Sequence, residues 1–178
     1  MDVVFVTSNE NKAREAREIL GVPIEIQKLD LDEIQGMELE PIIRHKLQQA
    51  WDVLKRPVLV DDVGLYFEAW GGFPGPFVRF AAETMTEAGI ARALGDDRRL
   101  RYVVTVGYTD GERTLFGSGE IRGTFTHEPR GTNGWGFDPF LLPNGEDQTY
   151  AQMGPEAKHK ISARGQALRA LKAQLGDR

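Results

Sequence analysis

Three features of the sequence predict an α/β fold, with a mixed twisted sheet flanked by helices. Short β-branched runs, such as Val3–Val6 and Val58–Val60, alternate with stretches of helical periodicity. Two longer runs, Leu100–Tyr108 and Thr114–Thr126, bracket an Asp110-Gly111 turn and read as antiparallel strands. No internal repeat or low-complexity tract appears, and 178 residues suit one domain over 1–178 that buries roughly 70% of its unfolded surface.

The first run, Val3–Val6, reads as a buried strand feeding the loop Thr7-Ser8-Asn9. Helical periodicity follows from Asn11 to Leu20, with Ala13, Ala16, Ile19 and Leu20 on one face, and Gly21 and Pro23 end it. Ile24–Ile26 is a second strand, and Leu29 to Gly36 a polar, acidic loop. The next helix is expected over 38–55, where Ile42, Ile43, Leu47, Trp51 and Leu54 form the core stripe. Val58–Val60 then reads as a short buried strand with Asp61-Asp62 at its C-terminal end. Gly71 to Pro76 must be a tight loop, because so many Gly and Pro residues disfavour any element interior. A small helix over 86–95 is closed by Gly95. After the two long strands, a Gly- and aromatic-rich loop (131–145) precedes one C-terminal helix with the stripe Ile161, Leu168, Leu171 and Leu175.

Composition narrows the function. The net charge of −5 supplies no overall field for a polynucleotide backbone, so an anionic ligand must be held by a few local cations or a metal. There is no cysteine, which excludes disulfides, thiol catalysis and cysteine-ligated metals. His45, His127 and His159 lie far apart without HExxH spacing. The N-terminal apolar run is too short for a signal peptide, and no stretch approaches the ~20 apolar residues of a membrane span. A cytoplasmic protein with no polynucleotide and no membrane partner is expected.

Four constellations could carry chemistry. Thr7-Ser8-Asn9 and Lys12, between a strand and a helix, could hold an anion with backbone N–H groups, the helix dipole and an ammonium. The same residues also fit an ordinary N-cap with a surface lysine, and no GxxxxGK[ST] pattern makes the loop a P-loop. Asp61-Asp62, with Glu33 in the loop that also holds Asp30 and Asp32, offers carboxylate oxygens suited to Mg²⁺. One of these carboxylates could orient or deprotonate a water. A solvated turn is the alternative. In Gly134-Trp135-Gly136-Phe137-Asp138, glycines beside aromatics let a flat ligand approach, with Asp138 accepting from ring N–H groups. Core packing explains the same pattern. Finally, at the entry to the last helix, Lys158 could donate to phosphate and Arg164 to a base oxygen, with Ser162 as a cap, or the basic residues form a solvated face.

In this order, the segments resemble the inosine triphosphate pyrophosphatase family, which hydrolyses non-standard purine nucleoside triphosphates. The matching stretches are TSNENK (7–12), DEIQG (32–36), VDDVGLYFEAWGGFPGPF (60–77), GWGFDPFLLPNG (134–145), YAQM (150–153) and SARGQAL (162–168). They extend over nearly the whole chain. The resemblance implies an elongated, two-lobed fold with a central cleft, usually a homodimer, and cleavage between the α and β phosphates. It implies phosphate ligands in Thr7, Ser8, Asn9, Lys12 and Lys46. Mg²⁺ would be held by Glu33 and Asp62, with Asp62, aided by Asp61, activating water. Trp135 and Phe137 would flank the base, Asp138 would bind its edge, and Lys158, Ser162 and Arg164 would complete the nucleotide site.

One position departs from the family pattern. Its last motif reads Ser-His-Arg-Gly, and here Ala163 replaces the histidine. A lost donor to a buried carbonyl costs ~1–3 kcal/mol, so a broader substrate range is expected. On one continuous helix His159 would share a face with Ala163. A pyrophosphatase tuned to another nucleotide and a non-catalytic nucleotide sensor are the rival readings. A pure binder, however, would not need both proposed metal ligands.

Overall fold

The computed structural model describes residues 2–176. In chain order these form β1 (Val3–Val6), α1 (Glu10–Leu20), β2 (Ile24–Gln27), α2 (Leu39–Leu54), β3 (Val58–Phe67) and β4 (Pro74–Gly75). They continue through α3 (Val78–Ala93), β5 (Arg99–Thr109), β6 (Thr114–Phe125), β7 (Leu141–Pro143), α4 (Pro155–Ile161) and α5 (Ala163–Leu175). The strand order is β2-β1-β3-β5-β6-β7, with β4 paired to β3. β1 runs parallel to β2 and β3, whereas β3–β4 and β6–β7 are antiparallel. The sheet is therefore mixed and carries helices, the class that the sequence predicts.

The described residues divide into two compact units, one built on residues up to 62, 104–119 and from 163 on, the other on 63–103 and 120–162. In the first unit, strand alternation sorts the core onto two faces. Val4, Val58 and Val60 pack with Ile43, Leu47 and Ala50 of α2. Phe5 and Leu59, of the opposite parity, are buried on the other face, where α1 and α5 pack together. Gly117 and Gly119 of β6 let α5 settle close: a Cβ at either would come within 2.1 Å of the carbonyl oxygen of Ala167 or Ala163. In the second unit, Arg98 donates from a buried position to the carbonyls of Ala91, Gly95, Phe125 and Thr126. This ties the end of α3 to the end of β6.

Four expectations need correction. β3 does not stop at Val60 but continues to Phe67, so Asp61 and Asp62 lie inside a strand. Val63–Phe67 is itself strand-forming sequence, and the two acids are tolerated because cations meet both. α3 starts at Val78, and the expected 86–95 helix is only its second segment, beyond a break at Thr86 (φ 61°, ψ 161°). The Thr86 hydroxyl accepts the Gly89 N–H at 3.2 Å, starting that segment afresh. The aromatic loop contains β7, three residues long and too short to show periodicity. The C-terminal helix is two helices, separated at Ser162 by an extended backbone (φ −64°, ψ 149°). Ile161 thus belongs to α4, and the helical relation expected between His159 and Ala163 does not exist. Among the described residues, no helix is long and apolar enough to cross a membrane.

Candidate functional site

In the first unit, the loop after β1 ends in an Asn9 N-cap. The Asn9 side chain accepts the N–H groups of Asn11 at 3.0 Å and Lys12 at 3.4 Å, while the Thr7 hydroxyl accepts the Asn9 N–H at 3.1 Å. The backbone donors expected to stand ready for an anion are therefore partly used by the loop itself. The Lys12 ammonium, carried by the first turn of α1, lies 2.9 Å from Asp61 Oδ1.

Asp61 is almost wholly buried and has a second cationic partner, because Arg164 Nη1 of α5 donates to its Oδ2 at 2.5 Å. Arg164 Nε in turn lies 3.2 Å from Glu15 Oε2, and both side chains are buried. Lys12, Asp61, Arg164 and Glu15 thus form a charge-balanced chain of alternating sign beneath the α1–α5 pair. Burial alone would raise the Asp61 carboxyl, but the charges of Lys12 and Arg164 and the Lys12 hydrogen bond more than offset it. Its pKa falls below the ordinary 3.8. Asp61 stays ionised and is a poor proton acceptor.

Asp62 follows Asp61 in an extended strand, so the two side chains point to opposite faces. Asp62 faces α2, where Lys46 Nζ lies 2.9 Å from its Oδ2 and 3.1 Å from Glu33 Oε1. Lys46 sits three and four residues beyond Ile43 and Ile42, on the inward stripe of α2, so the backbone aims it at the sheet. Burial pulls its ammonium down, but the charge and hydrogen bond of Asp62, with those of Glu33, leave it above the ordinary 10.5. The Gln49 amide holds the loop carrying Glu33, accepting the Asp32 N–H at 2.8 Å and donating to the Asp32 carbonyl at 2.9 Å.

The structure thus brings Glu33 and Asp62 together but does not bring Asp61 to the same face. Asp30 and Asp32 are exposed, as the solvated-turn alternative requires. Among the described residues no three acidic or histidine side chains converge. Two carboxylates sharing one cation are nevertheless a donor set that fits Mg²⁺, which takes one or two carboxylates and completes its shell with water and substrate oxygens.

The second unit holds the aromatic loop. Trp135 and Phe137 are half-buried, and Phe137 meets the Phe125 ring at 6.1 Å between centroids. Asp138 is buried, and its Oδ2 accepts the Trp135 N–H at 2.9 Å and the Lys158 ammonium at 2.8 Å. Gly134 (φ 76°) permits this closure, since a Cβ there would stand 2.0 Å from the same oxygen. Lys158 also lies over the rings of Trp135 and Tyr150, at 5.6 and 5.7 Å from their centroids. Two of the three expected base ligands, Trp135 and Asp138, therefore surround Lys158, for which the sequence suggests a phosphate partner. Ser162 is buried and donates its N–H to the Lys158 carbonyl at 2.8 Å, closing α4.

Sequence reasoning missed Glu15 and Gln49. Glu15 carried a signal, because it falls four residues before Ile19 on the apolar stripe of α1, where a carboxylate needs a partner. Gln49 carried none beyond its place three residues after Lys46.

The model of the Ham1 family matches residues 3–174. The dITP/XTP pyrophosphatase of Methanopyrus kandleri is 41% identical over 174 residues, covering 94% of this chain and 93% of that protein. Inosine triphosphate pyrophosphatase 2 of Trypanosoma cruzi is 41% identical over 180 residues, covering 97% and 91%. Among solved structures, a HAM1 protein from Coxiella burnetii superposes with a TM-score of 0.84 at 29% identity, covering 98% of both chains.

Proposed function

The chain belongs to the Ham1 family, and from that membership we propose that it is a nucleoside-triphosphate pyrophosphatase acting on non-standard purine nucleotides. ITP, dITP and XTP are cleaved to the monophosphate and pyrophosphate. The single observation that supports this most is the convergence of Glu33 and Asp62 on one cation, at 3.1 and 2.9 Å. With Mg²⁺ held there, the ion would neutralise charge developing on the leaving pyrophosphate.

The protein's own groups divide the remaining work. Lys12 and Lys46 meet phosphate oxygens with fixed positive charge. Asp62 orients the attacking water and takes its proton, a part for which Asp61 is the weaker base because Lys12 and Arg164 hold its pKa down. Asp61 instead positions Lys12 and Arg164. Trp135 and Phe137 stack on the base, and the Asp138–Lys158 pair supplies an acceptor and a donor for its edge. Ser162 and Arg164 complete the recognition, with Arg164 favouring an oxygen over an amino group at position 6 of the purine. The family resemblance extends the proposal to a homodimer working in the cytoplasm.

The test is a panel of ITP, XTP, their deoxy forms and the four common triphosphates, with Mg²⁺. Pyrophosphate, not orthophosphate, must be the product, and the inosine and xanthosine forms must lead. A binding module that has lost turnover would release neither product. Ala163 has a separate test. Ala163→His should raise the kcat/KM ratio of ITP to ATP by about 10–100-fold, and an unchanged ratio would refute a selectivity role for this position. Because Ala163 is fully buried, the imidazole should also lower stability by about 1–3 kcal/mol through overpacking, read as a lower Tm.

A further inference from the structure

We infer that the Lys46 ammonium is the resident cation of the Glu33–Asp62 pair, that a divalent ion gains the pair only by displacing it, and that the displaced ammonium then meets substrate phosphate. The inference rests on the metal reading above and deepens it by giving Lys46 two successive partners.

Lys46 Nζ is in contact distance of both carboxylates, 3.1 Å from Glu33 and 2.9 Å from Asp62, so it already fills the space between the two acids. Its side chain is only 13% exposed, which places the charge between the acids and not in solvent. The arrangement is held from three sides: α2 aims the lysine inward, β3 fixes Asp62, and the Gln49 amide clamps the peptide next to Glu33. Without a cation these two acids would repel each other at short range, so Lys46 keeps the pair assembled. A divalent ion and an ammonium cannot share the gap, because their repulsion at that separation opposes the attraction each gains. Exchange replaces one positive charge by two and releases the ammonium on its flexible four-carbon stem, beside the place where anionic phosphate must be neutralised. Ion and nucleotide binding therefore reinforce each other through Lys46, a reciprocal coupling.

The probe is Mn²⁺ without nucleotide, followed by its electron paramagnetic resonance signal and by calorimetry on the full chain. Lys46→Met should bind Mn²⁺ at least about tenfold more tightly than wild type, because the competing charge is gone. Asp62→Asn should weaken binding by at least about tenfold. Should Asp62→Asn bind as wild type does, the metal reading falls and the inference with it. Should Asp62→Asn lose the ion while Lys46→Met binds equally or more weakly, the metal reading stands and the exchange is overturned. A second measurement needs no variant. Acylation of Lys46 in the wild-type protein, followed by mass spectrometry with and without Mg²⁺, should accelerate when the ion is added. Unchanged or slower labelling would overturn the exchange even if Lys46→Met fails to fold.

Discussion

Asp62→Asn is expected to lower pyrophosphate release at saturating ITP and Mg²⁺ by about 10²–10⁴-fold while the protein stays folded. The amide keeps the size and shape of the carboxylate, so packing around β3 should be unaffected. It loses the charge that pairs with Lys46 at 2.9 Å, and it cannot accept a proton from water. The side chain is only partly buried and its removal leaves Lys46 still paired with Glu33 at 3.1 Å, so the stability change should be small. The measurements are turnover by a coupled pyrophosphate assay and Tm by calorimetry on the same preparation. Turnover above about a tenth of wild type would remove Asp62 from the chemistry. Asp61→Asn is the informative comparison. Its carboxylate faces the other side of the strand and is tied to Lys12 and Arg164, so its replacement should act on stability first and on rate through misplacement of Lys12.

Why the two neighbouring acids diverge shows what could and could not be read from sequence. The mixed α/β class, β1, the core of α2 and the Asp110-Gly111 hairpin follow from periodicity and turn chemistry, which are local properties. Glu33 and Asp61-Asp62 could be grouped from sequence as a carboxylate set. The choice of Glu33 with Asp62 as the two that converge rested on family resemblance, since they are distant in sequence and meet through tertiary packing. The run past Val60 was hidden because two adjacent charges read as the end of a strand. Nothing local announces that Lys12, Arg164 and Lys46 will accommodate them. The same limit applies to Lys158. A basic residue near a helix end reads as solvated, yet it is buried against Asp138 and two aromatic rings. The break at Ser162 was also beyond a periodicity argument, because the apolar stripe continues across it while the backbone does not.

Arg164→Leu should be the most destabilising single change on the α1–α5 side of the first unit. It removes the cation from between two buried carboxylates, leaving Glu15 without its Arg164 partner and Asp61 with Lys12 alone. Breaking a buried pair from one side costs about 3–5 kcal/mol, which for a chain of this size corresponds to a Tm lower by about 6–20 °C. The pH dependence separates this cause from simple loss of packing. In the wild type the Asp61 carboxyl titrates below its ordinary 3.8 because Lys12 and Arg164 outweigh its burial. A lowered folded-state pKa stabilises the protein above the unfolded value and loses that contribution as the pH falls through the folded one. Without Arg164 the favourable shift shrinks, so the Tm gap between wild type and variant should be widest near neutrality and narrow below about pH 4. A gap that stayed constant across that range would assign the loss to packing, not charge. A variant with unchanged Tm but relaxed preference between ITP and ATP would make Arg164 a reader of the base before it is an anchor for Asp61.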